Sequence, residues 1–360
     1  MTALVSSLGN TDAGNVSGLP KFSGQELFHI IDVFSQAYLE HVIDHKGRPG
    51  AIISCSVLSM HEDHGLGLPF FGLPLWAMGE CRLWSQADFD GDLLLITDHV
   101  FNFMVNKKQC SRYILIKLVE IGNYRSFQYT WSGTGRQFDM SQVIIEMDNL
   151  APGHPAGSSD FKSRMLAPID LPTRFIGKTG VLDDEASKKL ANGAGHIKHG
   201  NIKSTWHGFL KDMFSRSCIS LISETGGFDR LAVMSEKTLF AIFGLTFPIW
   251  IGNYGEPHSV ENLGLDVFND LIDHSYQWYP TLIERCYWAF ELNKTMLNDL
   301  AYCRDLRQRH LDRLLANRKF LLEDGLAYYC QKQISNMPPQ YQAAAEIVKT
   351  KFDRSQSDSR

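Results

Sequence analysis

Apolar positions along the chain fall into two kinds of pattern. Between residues 24 and 45, Leu27, Ile30, Ile31, Phe34, Tyr38 and Val42 recur at helical spacing, which predicts an amphipathic helix. Lys46-Gly47-Arg48-Pro49-Gly50 then stops it. Short continuous apolar runs follow at 51–58, 92–97 and 113–119, with a further one at 143–147. Runs of this length, bounded by polar or glycine-bearing loops, predict buried strands. Residues 98–107 leave room for a short helix between two of them. The second half alternates more cleanly: strand 218–223, helix 236–244, strand 248–252, helix 259–263, a long helix 281–300 and another at about 304–322. Strand, helix, strand, helix is one lobe of a doubly wound fold, which binds ligands beyond the carboxyl ends of its strands.

Breaks in the pattern suggest a division of the chain. Residues 1–23 are rich in Ser, Gly, Asn and Thr and read as a loose N-terminal arm. Residues 24–150 form a first α/β lobe. The Pro-, Gly- and Ser-dense stretch 151–159 opens a linker and basic loop region, 151–205, in which Lys188, Lys189, His196, Lys198, His199 and Lys203 lie among glycines. A second α/β lobe spans 206–302, and further helices with a tail occupy 303–360.

Composition narrows the class. The 360 residues are 44% hydrophobic and 21% charged, with a formal net charge of −5. This is an ordinary globular balance, and it argues against a wholly basic nucleic-acid-binding protein. The 7 cysteines are scattered and form no CxxC pair, so they read as reduced thiols rather than a zinc or disulfide framework. The first residues resemble no secretory signal, and the longest apolar stretches are too interrupted to span a bilayer. A cytoplasmic protein without a membrane span is expected.

The chemistry concentrates between 219 and 252. Glu224 follows an apolar strand, so its side chain is expected at the crevice. Ser235 is a good N-cap for a helix whose first turn carries Glu236 and Lys237. A helix start offers free N–H groups and partial positive charge, both suited to a diphosphate. Lys237 adds a formal charge, and a carboxylate such as Glu236 accepts both hydroxyls of a ribose. Gly252, ending the next strand, brings backbone close to whatever occupies the crevice. Taken alone, Ser235-Glu236-Lys237 is equally the start of a capped surface helix.

The ordered set is more distinctive. Ile222-Ser223-Glu224-Thr225, Ser235-Glu236-Lys237-Thr238, a Pro-bearing strand from Pro248 to Gly252, Leu263-Gly264-Leu265-Asp266-Val267-Phe268 and Ile272-Asp273-His274-Ser275-Tyr276 resemble the C-terminal domain of a group of viral and bacterial glycosyltransferase-like proteins. The resemblance covers about residues 214–300. It implies an α/β fold of two Rossmann-like lobes (GT-B-like) with additional C-terminal helices, and a donor nucleotide in the C-terminal lobe. Glu236 would hold the ribose, Ser235, Lys237 and Thr238 would lie near the phosphates, and Glu224, a catalytic candidate, would face the donor sugar or the cleft. Glu224 and Glu236 are twelve positions apart, against eight in well-known retaining enzymes of that fold, so no stereochemical outcome is implied.

These features predict transfer of a sugar from a nucleoside-diphosphate donor, acting as co-substrate, to a hydroxyl acceptor. No metal and no further cofactor are required. Asp63 and His64, in His61-Glu62-Asp63-His64-Gly65, are the candidates for a general base. The acceptor would be a glycan or a modified base in DNA; the basic residues from Lys188 to Lys203, with Arg304, Arg307, Arg309, His310, Arg313, Arg318 and Lys319, could meet a polyanion, although a solvated face explains most of them. Another alternative is a non-catalytic binding protein derived from such an enzyme. Asp88-Phe89-Asp90-Gly91-Asp92 reads as a turn rather than a metal site. Trp131, Trp206, Trp250 and Trp278 could stack on sugars or bases, although a core role is commoner.

Overall fold

The computed structural model describes residues 4–7, 21–22, 26–30, 36–55, 57–60, 67–89, 96–105, 109–131, 140–174, 176–177, 180–183, 185–186, 202–224 and 231–357. Within them the strands are β1 (Leu4–Ser7), β2 (Leu27–Ile30), β3 (Ala51–Ser54), β4 (Val57–Met60), β5 (Phe70–Gly72), β6 (His99–Met104), β7 (Phe127–Thr130), β8 (Ile176–Gly177), β9 (Gly180–Val181), β10 (Ser217–Ile222), β11 (Leu231–Val233) and β12 (Phe247–Trp250). The fold is α/β. One parallel sheet has the order β1-β2-β3-β5 and a second the order β12-β10-β6-β7. β4 pairs antiparallel with β11, and β8 with β9. No helix among the described residues is long and apolar enough to cross a membrane.

Strand β10 is buried at all six positions, so it needs a neighbour on each edge. It finds β12 on one side and β6 on the other, pairing Ser217 with His99 and Leu221 with Phe103. The second sheet therefore draws two strands from segment 24–150 and two from segment 206–302.

Several elements differ from the periodicity. Residues 113–119 lie in the helix Cys110–Gly122, not in a strand, because every residue from Cys110 to Val119 is buried. A helix buried all round has no polar face and reads as a continuous apolar run. Residues 143–147 belong to the helix Met140–Asp148. Only Val143 and Met147, one turn apart, are buried there, and the exposed Ile144 and Ile145 fill the gap that would have shown the helical period. Strand β6 occupies 99–104, where a helix was expected. The segment 24–45 divides into β2 and the helix Gln36–Lys46. The long helix expected at 281–300 is two, Leu282–Leu292 and Lys294–Asn298, and that at 304–322 is also two, Leu300–Arg309 and Leu311–Leu322. By contrast β10, the helix Glu236–Phe243, β12 and the helix Glu256–Asn262 fall within a few residues of their predicted places.

The helix Glu236–Phe243 is central to the packing. Leu239, Phe240, Ala241, Ile242 and Phe243 join the helix Leu75–Cys81 and the C-terminal helices in one apolar core, and Phe243 packs 4.6 Å from Trp84 between ring centroids. Its carboxyl end is closed by two buried arginines. Arg307 donates Nε to the Leu245 carbonyl at 3.0 Å, Nη2 to Gly244 at 2.7 Å and Nη1 to Ser215 at 2.6 Å. Arg318 donates Nη1 to the Phe243 carbonyl at 3.3 Å. A helix leaves its last carbonyls without partners and carries partial negative charge there, so cations with several donors suit this end.

Arg307 is thus a buried cation whose donors serve three backbone carbonyls. Replacing it with methionine keeps the bulk and leaves those carbonyls unsatisfied. Arg307→Met is expected to lower unfolding stability by about 2–4 kcal/mol in urea titration; an unchanged midpoint would show that the carbonyls find other donors.

Candidate functional site

The second sheet reverses its direction of growth at its centre. From β6 the chain passes through the helix Cys110–Gly122 to β7 on one side, and from β10 through the helix Glu236–Phe243 to β12 on the other. The carboxyl ends of β6 and β10 therefore flank a topological switch point, where neighbouring helices start and diverge and leave a crevice. Both helix starts carry chemistry-bearing side chains.

Glu224, two residues past β10, is 1% exposed. Its carboxylate accepts the Ser235 backbone N–H at 3.1 Å and the Thr238 hydroxyl at 2.7 Å, and it also receives the Ser235 hydroxyl. Thr238 Oγ1 in turn accepts the Trp250 indole N–H at 3.0 Å. Ser235 is the N-cap, accepting the Lys237 backbone N–H at 3.3 Å. The side chains of Glu224, Ser235 and Thr238 are therefore occupied in seating the helix start on the ends of β10 and β12. Glu224 was expected to face the donor sugar or the cleft; its carboxylate is engaged by the helix start.

Glu236 and Lys237 are the next residues outward. The Glu236 side chain keeps 38% of its exposure, against 9% for Lys237, and Lys237 Nζ lies 3.0 Å from Glu236 Oε1. Burial pushes the Glu236 carboxyl up, but the Lys237 ammonium and the Arg112 guanidinium outweigh it and hold the pKa at about 2. Arg112 stands in the first turn of Cys110–Gly122. It is almost wholly buried, donates Nη2 to the Ser223 carbonyl at 3.4 Å, and has no hydrogen-bond partner at Nε among the described residues. Burial lowers its pKa, and the charges of Glu236 and Glu224 oppose that. On the helix Leu75–Cys81, Glu80 is pushed up, first by burial and then by the charge of Glu236.

A third carboxyl lies deeper. Glu256 is fully buried; its Oε2 accepts the Val233 N–H and the Asn253 side-chain amide, each at 2.9 Å, while Oε1 and Asn253 Oδ1 have no partner among the described residues. Burial, and after it the charge of Glu224, raises the Glu256 pKa well above the usual carboxylate range. Gly252 has φ +113°, and a Cβ there would meet Leu282 Cδ1 and Ser111 Cβ at 3.0 Å. Its carbonyl accepts Arg285 Nε at 2.6 Å. The close approach expected at Gly252 is made here by the helix start at Ser111 and by Leu282.

The sequence did not single out Arg112, Glu80 or Glu256. Arg112 was hidden in the apolar run read as a strand. Read as a helix following β6, the same run would have put Ser111 and Arg112 in a first turn at the crevice. Glu256 had a usable signal in Gly255-Glu256-Pro257, a helix start with proline near N1.

The other expected groups are dispersed. Asp63 and His64 lie outside the described residues, as do Thr225 and the basic positions 188–199. Asp88 accepts the Ser85 backbone N–H at 2.7 Å and Lys203 Nζ at 2.8 Å in a short 3-10 turn. Asp273 accepts the Ser275 N–H at 2.9 Å and hydroxyl at 2.6 Å, a local turn before Leu282–Leu292. Trp131, Trp206 and Trp250 are core residues, whereas Trp278 is 44% exposed. Of the arginines that could meet a polyanion, Arg307 and Arg318 cap a helix as described. Arg304 donates to the Thr97 carbonyl at 2.7 Å, and Arg313 pairs with Asp266 and Asp270. No family model, curated protein or solved structure matches the chain.

Glu256 makes a signed prediction. Its folded pKa lies above the unfolded value of 4.5, so wild-type stability is fullest below that pH and declines as pH rises toward the folded value. Glu256→Gln keeps an acceptor for Val233 and Asn253 and stays neutral. The thermal-midpoint difference, variant minus wild type, is expected to grow in favour of the variant between pH 5 and pH 8. A difference independent of pH would contradict the burial of an ionisable group there.

Proposed function

We propose that this chain is a glycosyltransferase moving a sugar from a nucleoside-diphosphate donor to a hydroxyl acceptor, with the donor nucleotide in the crevice beyond the carboxyl ends of β6 and β10. The observation that carries the proposal is the side-by-side mounting of Glu236 and Lys237 at a helix start beside the switch point, with Arg112 close enough to bias Glu236 toward its ionised form. The two parallel sheets are read as the cores of two Rossmann-like lobes of GT-B type, and the ordered motifs from Glu224 to Tyr276 support the same reading.

Each group has a task in this scheme. Glu236, ionised across the neutral range, is an acceptor only and suits the paired hydroxyls of a ribose. In the reaction the acceptor oxygen bonds to the anomeric carbon as the bond from that carbon to the phosphate oxygen breaks. The bonding electrons leave with the diphosphate, and the acceptor proton passes to a base, for which Asp63 or His64 is proposed. Lys237 and Arg112 supply positive charge where the diphosphate gains negative charge, and charge held in place before the step is worth more than mobile solvent. Glu224, Ser235 and Thr238 keep the helix start in register with the crevice.

A thermal-shift screen with UDP-, GDP- and related sugars, followed by assay of sugar release, tests the reading. At least one nucleotide sugar is expected to stabilise the protein. Glu236→Ala, which removes a charged acceptor of two hydroxyls, is expected to weaken its binding by about 100-fold. Absence of any response across the panel, or equal binding by Glu236→Ala, would sink the proposal.

A further inference from the structure

One cavity lies away from this crevice. It encloses about 580 Å³ and lies toward the amino end of β10, lined by Gln128 and Tyr129 of the edge strand β7, Arg174, the β8–β9 hairpin, and His207, Gly208, Lys211, Asp212, Met213 and Ser215. Ser215 precedes the first residue of β10 and Glu224 follows its last, so the cavity and the Glu236 site belong to opposite ends of one strand.

The wall from 202 to 215 is built in three pieces. Ile202–Thr205 and Lys211–Ser215 are α-helical, and Trp206–Leu210 between them is a π-helical turn. Such turns widen a helix and recur at functional sites. Trp206 is buried, stacking 5.7 Å from Phe240 and lying edge-on 6.1 Å from Trp84, so that side of the segment is locked into the core. His207, Gly208, Lys211, Asp212 and Ser215 are thereby presented to the cavity. A Cβ at Gly208 would meet nothing within 4 Å.

On the facing wall, Arg174 is held by a two-way backbone pairing with Trp131, and its guanidinium lies 5.0 Å from the centre of the Tyr129 ring. Tyr129 is itself anchored, its hydroxyl donating to the Pro172 carbonyl at 2.8 Å. The charged lining groups are the guanidinium of Arg174, the ammonium of Lys211 and one carboxylate, Asp212, and the imidazole of His207 lies with them. Arg216 Nη1 lies 3.7 Å from that carboxylate, and its Nε and Nη2 donate to Asp98. His207 Nε2 lies 3.4 Å from Asp88.

We infer that this cavity is an anion-binding site for the phosphate group of a phosphorylated small molecule, with Arg174 and Lys211 as the recognising groups. The volume is in the range of small-molecule sites. A guanidinium fork on one wall and an ammonium on the other both suit phosphate oxygens, and Gln128 and Ser215 are polar residues of the same lining. The inference does not depend on the glycosyltransferase reading.

Isothermal titration calorimetry with pyrophosphate, AMP, glucose 1-phosphate and, as a phosphate-free control, adenosine tests it at matched ionic strength. At least one of the phosphorylated probes is expected to bind wild type and Glu236→Gln alike, and adenosine is not. Arg174→Gln/Lys211→Gln is expected to weaken binding at least about tenfold. Gly208→Leu, which places a side chain in open cavity space, is expected to block binding while the thermal midpoint holds. The pattern among the three phosphorylated probes identifies whether a bare diphosphate, a nucleotide or a sugar phosphate is preferred. No binding by wild type at millimolar probe, equal binding by both cavity variants, or loss in Glu236→Gln alone would overturn the inference.

Discussion

The geometry of the crevice rests on one buried carboxylate meeting one helix start. Glu224 is almost fully withdrawn from water and takes donors from Ser235 and Thr238. A buried charge is tolerable only when it is hydrogen-bonded, and each bond to a charged group contributes about 1.5–3 kcal/mol. This contact ties the end of β10 to the first turn of Glu236–Phe243, and Thr238 extends the tie to Trp250 at the end of β12. The positions of Glu236 and Lys237 follow from it, since they are the residues immediately next in the chain.

The same helix is held from its other end by Arg307 and Arg318, elements more than sixty residues away in sequence. Anion at the amino end and cations at the carboxyl end both complement the helix dipole. Beneath it the sheet is cross-linked by polar groups. Ser220 bonds Asn102 of β6 at 3.1 Å and Thr246, just before β12, at 2.7 Å. A switch point framed in this way has little freedom to adjust. Its ligand selectivity, under the proposed function, would come from preorganised charge rather than from closure around the ligand.

Three carboxyls in this small region have three different fates. Glu224 is consumed by hydrogen bonds, Glu236 is kept ionised by Lys237 and Arg112, and Glu256 is pushed toward its neutral form by burial and by Glu224. Identical chemistry is thus divided by environment into a structural anchor, a permanent anion and a buried acid. Polar atoms of Arg112, Asn253 and Glu256 that have no partner among the described residues lie in the same region. The cationic cavity near the amino end of β10 draws on none of these groups.

Local sequence determined much of the second half. Ser235 as N-cap, Glu236 in the first turn, the break at Gly244 and the buried strands on either side were legible because capping chemistry and short apolar runs act within a few residues. The first half was less legible wherever burial erased periodicity: Cys110–Gly122 has no wet face to mark it as a helix, and exposed Ile144 and Ile145 disguised Met140–Asp148. Tertiary structure alone decided that β6 and β7 join β10 and β12, because strand pairing is a contest among all available edges and leaves no mark in any one segment. It also decided what each charged residue does. Glu224 and Glu236 are the same residue type near the same helix start, and only the folded surroundings make one an anchor and leave the other partly exposed beside Lys237.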